Sequence, residues 1–255
     1  MWCRFSTIAR YKDKMENSRD RRGAIKVGIE SKKASHNGIG IHYLDSNTDS
    51  SLVPLLICPG LSETAEEYLD LIEYVSPRRC VVLSFRGRGQ SDTPEQGYGH
   101  QDHLADMECV VQSAQLNRFH LYSYSRGVSY ALGYLEKNQS KVVSLIAQDY
   151  PPEHRKMPDG WAQEYIAQYL VIRPEAVWGI QRESDFLAFD FKTDIRMLLL
   201  RGTLEGRLLE DKGIDAYRRI CPKVAVRNFK SSGHDIRNTE KDLLFKTISD
   251  FISQS

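Results

Sequence analysis

Short apolar runs alternate with helix-like segments along most of this 255-residue chain. A strand, a helix and a further strand in repeated succession form βαβ units, whose strands are parallel and whose helices cover the sheet. The pattern therefore predicts an α/β fold with a mostly parallel central sheet and helices on both faces. The strand-like runs are residues 80–85, 119–122, 142–147, 195–200 and 224–229, and the helical segments are 64–74, 102–115, 126–137, 206–220 and 236–251.

The first third of the chain adds an antiparallel start to this pattern. Residues 29–34 and 39–44 flank Asn37-Gly38, a dipeptide typical of a tight β-hairpin. Residues 52–58 form a continuous apolar run that predicts a strand covered on both faces. Residues 1–25 are polar and without periodicity, so we expect an N-terminal extension followed by one domain over residues 26–255.

Composition excludes several classes of function. The net charge is +1, which gives no electrostatic reason to bind nucleic acid or an anionic membrane. No apolar run approaches the roughly 20 residues of a membrane span, and no apolar block follows the N-terminal basic residues. Five scattered cysteines favour reduced thiols, so we expect a cytoplasmic protein. No Cys/His spacing indicates a metal site, and we expect no cofactor.

One segment interrupts the alternation of strands and helices. Residues 150–192 open with two prolines and are rich in aromatic side chains, which predicts an insertion of two or three short helices. These aromatics can pack the insertion onto the sheet, line an apolar pocket as a lid, or do both. The candidate pocket residues are Trp161, Tyr165, Trp178 and Phe186.

The stretch Ser123-Tyr124-Ser125-Arg126-Gly127 lies between an apolar run and a helical segment. A sharp strand-to-helix turn brings the backbone before and after its central residue close together, so both flanking side chains must be small. Ser123 and Gly127 meet this requirement. Such a turn would raise the hydroxyl of Ser125 above the sheet, where it could act as a nucleophile.

A serine nucleophile needs a base and an acid that orients the base. His234 lies in a Gly-containing loop directly after the last strand-like run, where it could turn toward Ser125. Glu205 follows the strand at 195–200 and is the predicted acid. Asp149 follows the strand at 142–147 and is the alternative, because both strands end at the same edge of the sheet.

Backbone N–H groups would have to bind the oxyanion. One donor is predicted at Arg126, because it directly follows the nucleophile at the start of a helix. The other is predicted at Leu61, which follows Pro59-Gly60 at the end of an early strand. The Arg126 side chain is expected to be solvated or, alternatively, to bind an acidic substrate.

These features resemble the α/β-hydrolase fold family, in which the triad follows the order Ser, acid, His. The segment 84–92, SFRGRGQSD, is similar to that family's Asp-x-Arg-Gly-His-Gly-x-Ser loop. The chain departs from the family pattern by Ser123 for the first Gly of the nucleophile motif, by Pro59 in place of His before Gly60, and by Arg88 in place of His. Glu205 would replace the commoner Asp.

The resemblance implies a cofactor-free serine hydrolase that cleaves a small, partly apolar ester, thioester or lactone through an acyl-enzyme. It also leaves open a receptor-like small-molecule-binding member of the fold, or a lyase that uses His234 as base. Ser125 argues against haloalkane dehalogenase and epoxide hydrolase activity, for which this family uses an Asp nucleophile. The expected partner is a small-molecule substrate, and nothing in the sequence indicates an oligomeric state.

Overall fold

A computed structural model describes residues 28–169 and 171–254, and the predicted extension over residues 1–25 lies outside them. Eight strands of the described chain form one sheet, and two short strands form a separate ribbon. The sheet strands are β1 (Ile29–His36), β2 (Ile39–Ser46), β3 (Leu55–Cys58), β4 (Cys80–Leu83), β5 (Phe119–Tyr124), β6 (Val142–Gln148), β9 (Arg196–Gly202) and β10 (Ala225–Phe229), and the ribbon strands are β7 (Glu153–His154) and β8 (Leu187–Ala188).

The strand order β1-β2-β4-β3-β5-β6-β9-β10 confirms the predicted sheet. β2 pairs antiparallel with β1 and β4, whereas all pairs from β4 to β10 are parallel. Asn37 and Gly38 form the hairpin turn with φ of 51° and 79°, as the dipeptide predicts. Parallel pairing brings the carboxyl ends of β3, β5, β6, β9 and β10 to one edge, where ligand sites of open α/β sheets lie.

Helices follow the strands nearly as the periodicity predicts, with two corrections. The segment 206–220 is helical only from residue 211, because its first residues form a loop whose amides bind a buried carboxylate. The segment 236–251 is divided at Glu240, whose carboxylate accepts hydrogen bonds from the loop before it. The helices are α1 (Leu69–Tyr74, after a 3₁₀ turn at Ala65–Tyr68), α2 (His100–Ser113), α3 (Gly127–Lys137), α4 (Trp161–Gln168), α5 (Pro174–Glu183), α6 (Asp211–Ile220), α7 (Ile236–Thr239) and α8 (Lys241–Ser253).

Two apolar layers hold the helices to the sheet, one on each face. Alternate residues of β3 divide between them: Leu56 and Cys58 pack into the layer beneath α2, α3 and α6, and Leu55 and Ile57 into the layer beneath α1 and α8. All four side chains are fully buried. Continuous apolar runs such as β3 are therefore required by burial on both faces. No helix in the described part of the chain is both long and apolar enough to cross a membrane.

The insertion between β6 and β9 contains α4, α5 and the β7–β8 ribbon. Its own apolar cluster joins α4 and α5 to Tyr98, a buried residue of the loop before α2. Arg173 ties the insertion to the same loop region, since its guanidinium donates to the carbonyl of Gly89 and its amide donates to the carbonyl of Gly87. The insertion is thus packed against the loops at the carboxyl edge of the sheet.

Two buried histidines make the stability of the fold sensitive to acid. Burial, together with the Arg78 charge, lowers the pKa of His120 in β5 to about 4. Burial and the Arg126 charge lower the pKa of His154 in β7 to about 2. The ordinary pKa is 6.5, so between pH 6.5 and these values the unfolded chain binds protons that the folded chain does not. Stability is therefore lost as the pH falls.

We expect the free energy of unfolding to decrease as the pH drops under about 6.5, by up to about 1.4 kcal/mol per pH unit for each such histidine. Urea unfolding at several pH values between 4.5 and 6.5 measures this slope. His120→Leu should have a shallower slope than wild type, whereas replacement of the exposed His36 by Asn should leave it unchanged. An unchanged slope in His120→Leu would show that folding does not suppress protonation of His120.

Candidate active site

Ser125 occupies a tight turn between β5 and α3. Its φ is 51°, in the left-handed region that non-glycine residues rarely adopt. The amide of Ser125 donates to the carbonyl of Gln148, which anchors the turn to β6. A β-carbon at Gly127 would lie 2.3 Å from the carbonyl oxygen of Pro59, and Ser123 is fully buried. Small residues at both flanking positions are therefore required by packing.

His234 reaches Ser125 from the loop after β10. Its Nε2 atom lies 2.9 Å from the Ser125 hydroxyl oxygen. The Tyr124 ring stacks against the imidazole, with ring centroids 5.0 Å apart and planes inclined by 27°. The His234 side chain remains 26% exposed, so the pair is accessible to solvent at the edge of the sheet. The two residues singled out in the sequence as nucleophile and base thus form a hydrogen-bonded pair.

Asp149, directly after β6, supplies the carboxylate that meets His234. Its Oδ2 atom lies 2.8 Å from Nδ1 of His234 and also accepts from the amide of Leu208 at 2.9 Å. Oδ1 accepts from the amide of Leu209 at 3.4 Å, and the side chain is completely buried. Since a carboxylate can only accept, Nδ1 carries the proton and Nε2 presents its lone pair to the Ser125 hydroxyl.

The prediction of Glu205 as the acid partner of His234 is wrong in geometry. Glu205 is exposed, and it is its backbone that faces the histidine loop: a β-carbon at Gly233 would lie 2.4 Å from the Glu205 carbonyl oxygen. The loop after β9 packs equally closely at Gly202, where a β-carbon would lie 1.9 Å from the Gly233 carbonyl oxygen. These backbone contacts leave the Glu205 side chain in solvent, and the alternative, Asp149, takes the position.

One predicted oxyanion donor, Arg126, is in the Ser125 turn, and the other, Leu61, follows Pro59, whose carbonyl oxygen packs against Gly127 of that turn. A carboxylate oxygen of Glu63 holds the loop around Leu61 by accepting from the amide of Gly60 at 2.8 Å and from the hydroxyl of Tyr68 at 2.5 Å. Burial raises the pKa of Glu63. Within residues 28–169 and 171–254, no acceptor takes a hydrogen bond from the amide of Leu61 or of Arg126. Both amides are thus free to bind a ligand oxygen.

The Arg126 side chain is neither solvated nor aimed at solvent, which corrects the expectation from the sequence. It is 3% exposed and extends away from the turn into the base of the insertion. All of its hydrogen-bond acceptors are uncharged: the Tyr130 hydroxyl at 3.2 Å, Nε2 of His154 at 2.9 Å, the Ser184 hydroxyl at 2.7 Å, the Arg155 carbonyl at 2.9 Å and the Met157 sulfur at 3.2 Å. Arg126 therefore ties the nucleophile turn to both ends of the insertion.

The four aromatic residues proposed for the pocket divide between two sides of the insertion. Tyr165 is 9% exposed, its hydroxyl donates to Ser62 at 2.6 Å beside the loop of Leu61, and its ring contacts Trp161. Trp178 and Phe186 are 46% and 62% exposed and lie outside the apolar cluster of the insertion. Trp178 lies on α5 between Val177 and Gly179, which both pack inward, and the helical period directs it outward.

Sequence reasoning did not single out Arg88 as a functional residue beyond its departure from the family motif. Its guanidinium is 1% exposed and its Nε atom donates to the carbonyl of Leu61 at 3.1 Å. Its backbone forms an isolated bridge with Ile172 of the insertion. Arg88 thus lies between the loop of Leu61 and the insertion. The signal for this position in the sequence was Arg88 itself, which stands where the similar family motif has His.

Comparison with known proteins agrees with this architecture. A family model described as the alpha/beta hydrolase fold matches residues 53–165. The chain is similar to the epoxide hydrolase CorEH, with a TM-score of 0.71 and 15% identity over 89% of this chain and 99% of that one. It is also similar to an esterase from Exiguobacterium antarcticum, with a TM-score of 0.67 and 16% identity over 88% of this chain and 100% of that one.

A third solved structure, Est816, described as an N-acyl homoserine lactone degrading enzyme, has a TM-score of 0.70 and 14% identity over 86% of this chain and 100% of its own. At such identities the similarity concerns the fold, which supports many reactions. The strand order, the strand-to-helix turn at Ser125 and the family model agree with one another. On this evidence, the chain has the α/β-hydrolase fold.

Proposed function

We propose that this protein is a serine hydrolase that cleaves a small, partly apolar ester, thioester or lactone through a Ser125–His234–Asp149 triad. The observation that carries the proposal is the continuous hydrogen-bonded relay of the three side chains. Ser125 Oγ lies 2.9 Å from Nε2 of His234, and Nδ1 of the same ring lies 2.8 Å from Asp149. These distances are within the range required for proton transfer between nucleophile and base.

In the first half-reaction, the Ser125 oxygen attacks the carbonyl carbon of the substrate while Nε2 of His234 takes the hydroxyl proton. Asp149 keeps the imidazole in the correct tautomer and stabilises the imidazolium that forms. The amides of Leu61 and Arg126 bind the oxyanion, and the loss of one such donor typically costs about 3 kcal/mol of transition-state stabilisation. Collapse of the tetrahedral intermediate expels an alkoxide or thiolate, which His234 protonates.

In the second half-reaction, water hydrolyses the acyl-enzyme. His234 takes a proton from this water, the hydroxide attacks the ester carbonyl formed with Ser125, and the same oxyanion donors bind the negative oxygen. Collapse returns the proton to Ser125 Oγ and releases the acid. Each proton removed by His234 is returned to a leaving group, so the cycle needs no cofactor. In a lactone, the leaving alcohol remains attached to the acyl group.

The environment of the turn supports a substrate with an apolar portion. Tyr165 and the partly buried Leu61 belong to one apolar cluster that joins the insertion to the loop of the proposed oxyanion donors. An acyl or alcohol group of modest length would pack against these side chains. A serine in the nucleophile position favours acyl transfer. It argues against epoxide hydrolysis, the reaction named for the similar structure CorEH, since the epoxide hydrolases of this family use an Asp nucleophile.

Labelling with a fluorophosphonate, followed by peptide mapping of the adduct, tests the proposal directly. We expect one adduct, on Ser125, and hydrolysis of short- and medium-chain p-nitrophenyl esters by the same preparation. A folded protein that takes up no probe would overturn the acyl-enzyme mechanism. Labelling of Ser125 without turnover of any ester, thioester or lactone would contradict hydrolysis. It would favour the hypothesis of a receptor-like small-molecule-binding protein or of a lyase.

A further inference from the structure

In the described part of the chain, two buried guanidinium groups have no acidic partner: that of Arg126, the residue after Ser125, and that of Arg88, which contacts the Leu61 loop. Arg88 is 1% exposed and Arg126 is 3% exposed. Within residues 28–169 and 171–254, no carboxylate lies within ion-pair distance of either side chain. Burial of an unpaired charge is strongly unfavourable, so buried arginines normally meet a carboxylate. The missing anion is what the substrate could supply.

The nearby carboxylates pair with another arginine. Arg86 binds Asp106 through several short hydrogen bonds, down to 2.6 Å, and also pairs with Asp102 at 3.7 Å. The histidines beside Arg88 and Arg126 are His103 and His154. Burial lowers the pKa of His103 well below its ordinary range and that of His154 to about 2, so both are neutral at physiological pH. Arg88 and Arg126 therefore have no direct ionic partner among the residues that the structure describes.

Arg88 also keeps an unused hydrogen-bond donor. Its Nε donates to the carbonyl of Leu61, and its Nη1 donates to the carbonyl of Arg86 at 2.6 Å and to Nε2 of His103 at 3.0 Å. Its Nη2 is buried and has no acceptor among the residues that the structure describes. A buried donor without a partner destabilises the fold, and more so when it is charged. An acceptor that binds there would recover this cost.

The planar guanidinium sets the direction of this unused donor. Nε–H and one N–H of Nη2 lie parallel on the same edge of the group, and this edge is the one that binds carboxylates. Since Nε donates to the Leu61 carbonyl, the adjacent Nη2 donor faces the loop that carries the proposed oxyanion amide. On its other side, the backbone of Arg88 bridges to Ile172 of the insertion. The donor thus faces the Leu61 loop, and the backbone of the same residue adjoins the insertion.

We propose that the substrate carries a carboxylate group, and that Nη2 of Arg88 binds this carboxylate between the Leu61 loop and the insertion. The inference rests on the proposed hydrolase function and narrows its substrate class to anionic esters, thioesters or lactones. The charge of Arg126 adds long-range attraction without direct contact, because its own donors are occupied. The apolar surface of the insertion then packs against the part of the substrate that joins the carboxylate to the scissile bond.

Matched pairs of esters that differ only in a terminal carboxylate test the proposal. Monomethyl glutarate is compared with methyl pentanoate, and 4-acetoxybutanoate with butyl acetate, so that the carboxylate is examined on the acyl side and on the alcohol side. Turnover is followed by titration of released acid. We expect the charged member of at least one pair to have the higher kcat/KM by at least about 30-fold, as for a desolvated charge pair.

Substitution of Arg88 locates the preference. Arg88→Met should reduce the ratio of charged to neutral ester to near one, and Arg88→Lys, which keeps the charge but not the planar edge, should retain part of it. Arg182→Gln removes an exposed charge of the same insertion and should leave the ratio unchanged. Since the ratio compares two substrates on one protein, partial loss of active enzyme does not alter it. Equal turnover of charged and neutral esters by wild type would overturn the proposal while the hydrolase function stands.

A binding measurement separates the two proposals and does not need turnover. Glutarate should raise the melting temperature of the Ser125→Ala protein by more than butyrate does. Arg88→Met should weaken this stabilisation, and Arg88→Lys replaces it as the test variant if Arg88→Met does not fold. Stabilisation by glutarate without ester hydrolysis would support the carboxylate site and contradict the hydrolase function. Absence of any difference between glutarate and butyrate would count against the carboxylate site.

Discussion

Replacement of Ser125 by Ala should reduce kcat/KM for any cleaved ester by about 10⁶-fold, the loss that removal of a serine nucleophile causes elsewhere. The hydroxyl oxygen forms the acyl bond, so no neighbouring group can replace it in the same position. The change removes one atom at a residue whose φ of 51° is a property of the backbone turn. We therefore expect the melting temperature to remain within a few degrees of the wild-type value. Ester hydrolysis and fluorophosphonate labelling measure the loss.

Ser123→Gly is the matched control, because it alters the other serine of the same turn. Ser123 is buried, and its hydroxyl donates to the carbonyl of Ile146 at 3.2 Å without contacting His234. Gly is the residue common at this position in the family that the chain resembles. We expect the control to retain activity within a few-fold of wild type. If Ser125→Ala keeps more than about 1% of wild-type activity, Ser125 is not the nucleophile.

Replacement of Asp149 by Asn should lower kcat by about 10³–10⁴-fold with little change in structure. The Asn side chain can present an N–H toward Nδ1 of His234, which favours the tautomer whose Nε2 carries the proton. A protonated Nε2 cannot accept the proton of Ser125. The amide of Leu209 can still donate to the remaining amide oxygen, whereas that of Leu208 loses its acceptor because it shares Oδ2 with His234, so the loop after β9 keeps only part of its support. Steady-state kinetics and thermal unfolding measure the two effects separately.

Glu205→Gln provides the comparison for this prediction. Glu205 follows the neighbouring strand and is exposed, and its backbone rather than its carboxylate faces the histidine loop. We expect kcat and KM within about two-fold of wild type, since surface substitutions of this kind change little. A large loss of activity in Glu205→Gln beside an active Asp149→Asn would reverse the assignment of the acid.

The fold could be predicted because its signals are local. Strands buried on both faces have continuous apolar sequences. Asn37-Gly38 favours a hairpin turn because both residues tolerate a positive φ. The turn at Ser125 was recognisable for the same reason, since close backbone contact demands small neighbours at residues 123 and 127. Helix boundaries were less accurate. The segment 206–210 is a loop because the amides of Leu208 and Leu209 donate to the carboxylate of Asp149, a residue almost 60 positions earlier in the sequence.

The acid of the proposed triad could not be chosen from the sequence. Asp149 and Glu205 both follow strands whose carboxyl ends meet at one edge, so either could have faced His234. The choice depends on how the loop after β9 packs at Gly202 and Gly233, where backbone atoms approach too closely for any side chain. The faces of the insertion were undetermined for a similar reason: its aromatic content is local, but whether Trp178 points inward depends on which side of α5 meets Tyr98.

By itself, the sequence determined the order of strands and helices and the positions of Ser125 and His234 at the ends of strands, because hydrophobic period and turn chemistry act over a few residues. Tertiary structure alone decided that Asp149 meets His234, that Arg126 is buried against the insertion and that Arg88 contacts the Leu61 loop with a donor left unused. These features depend on contacts between distant segments, whose burial and direction no local pattern encodes.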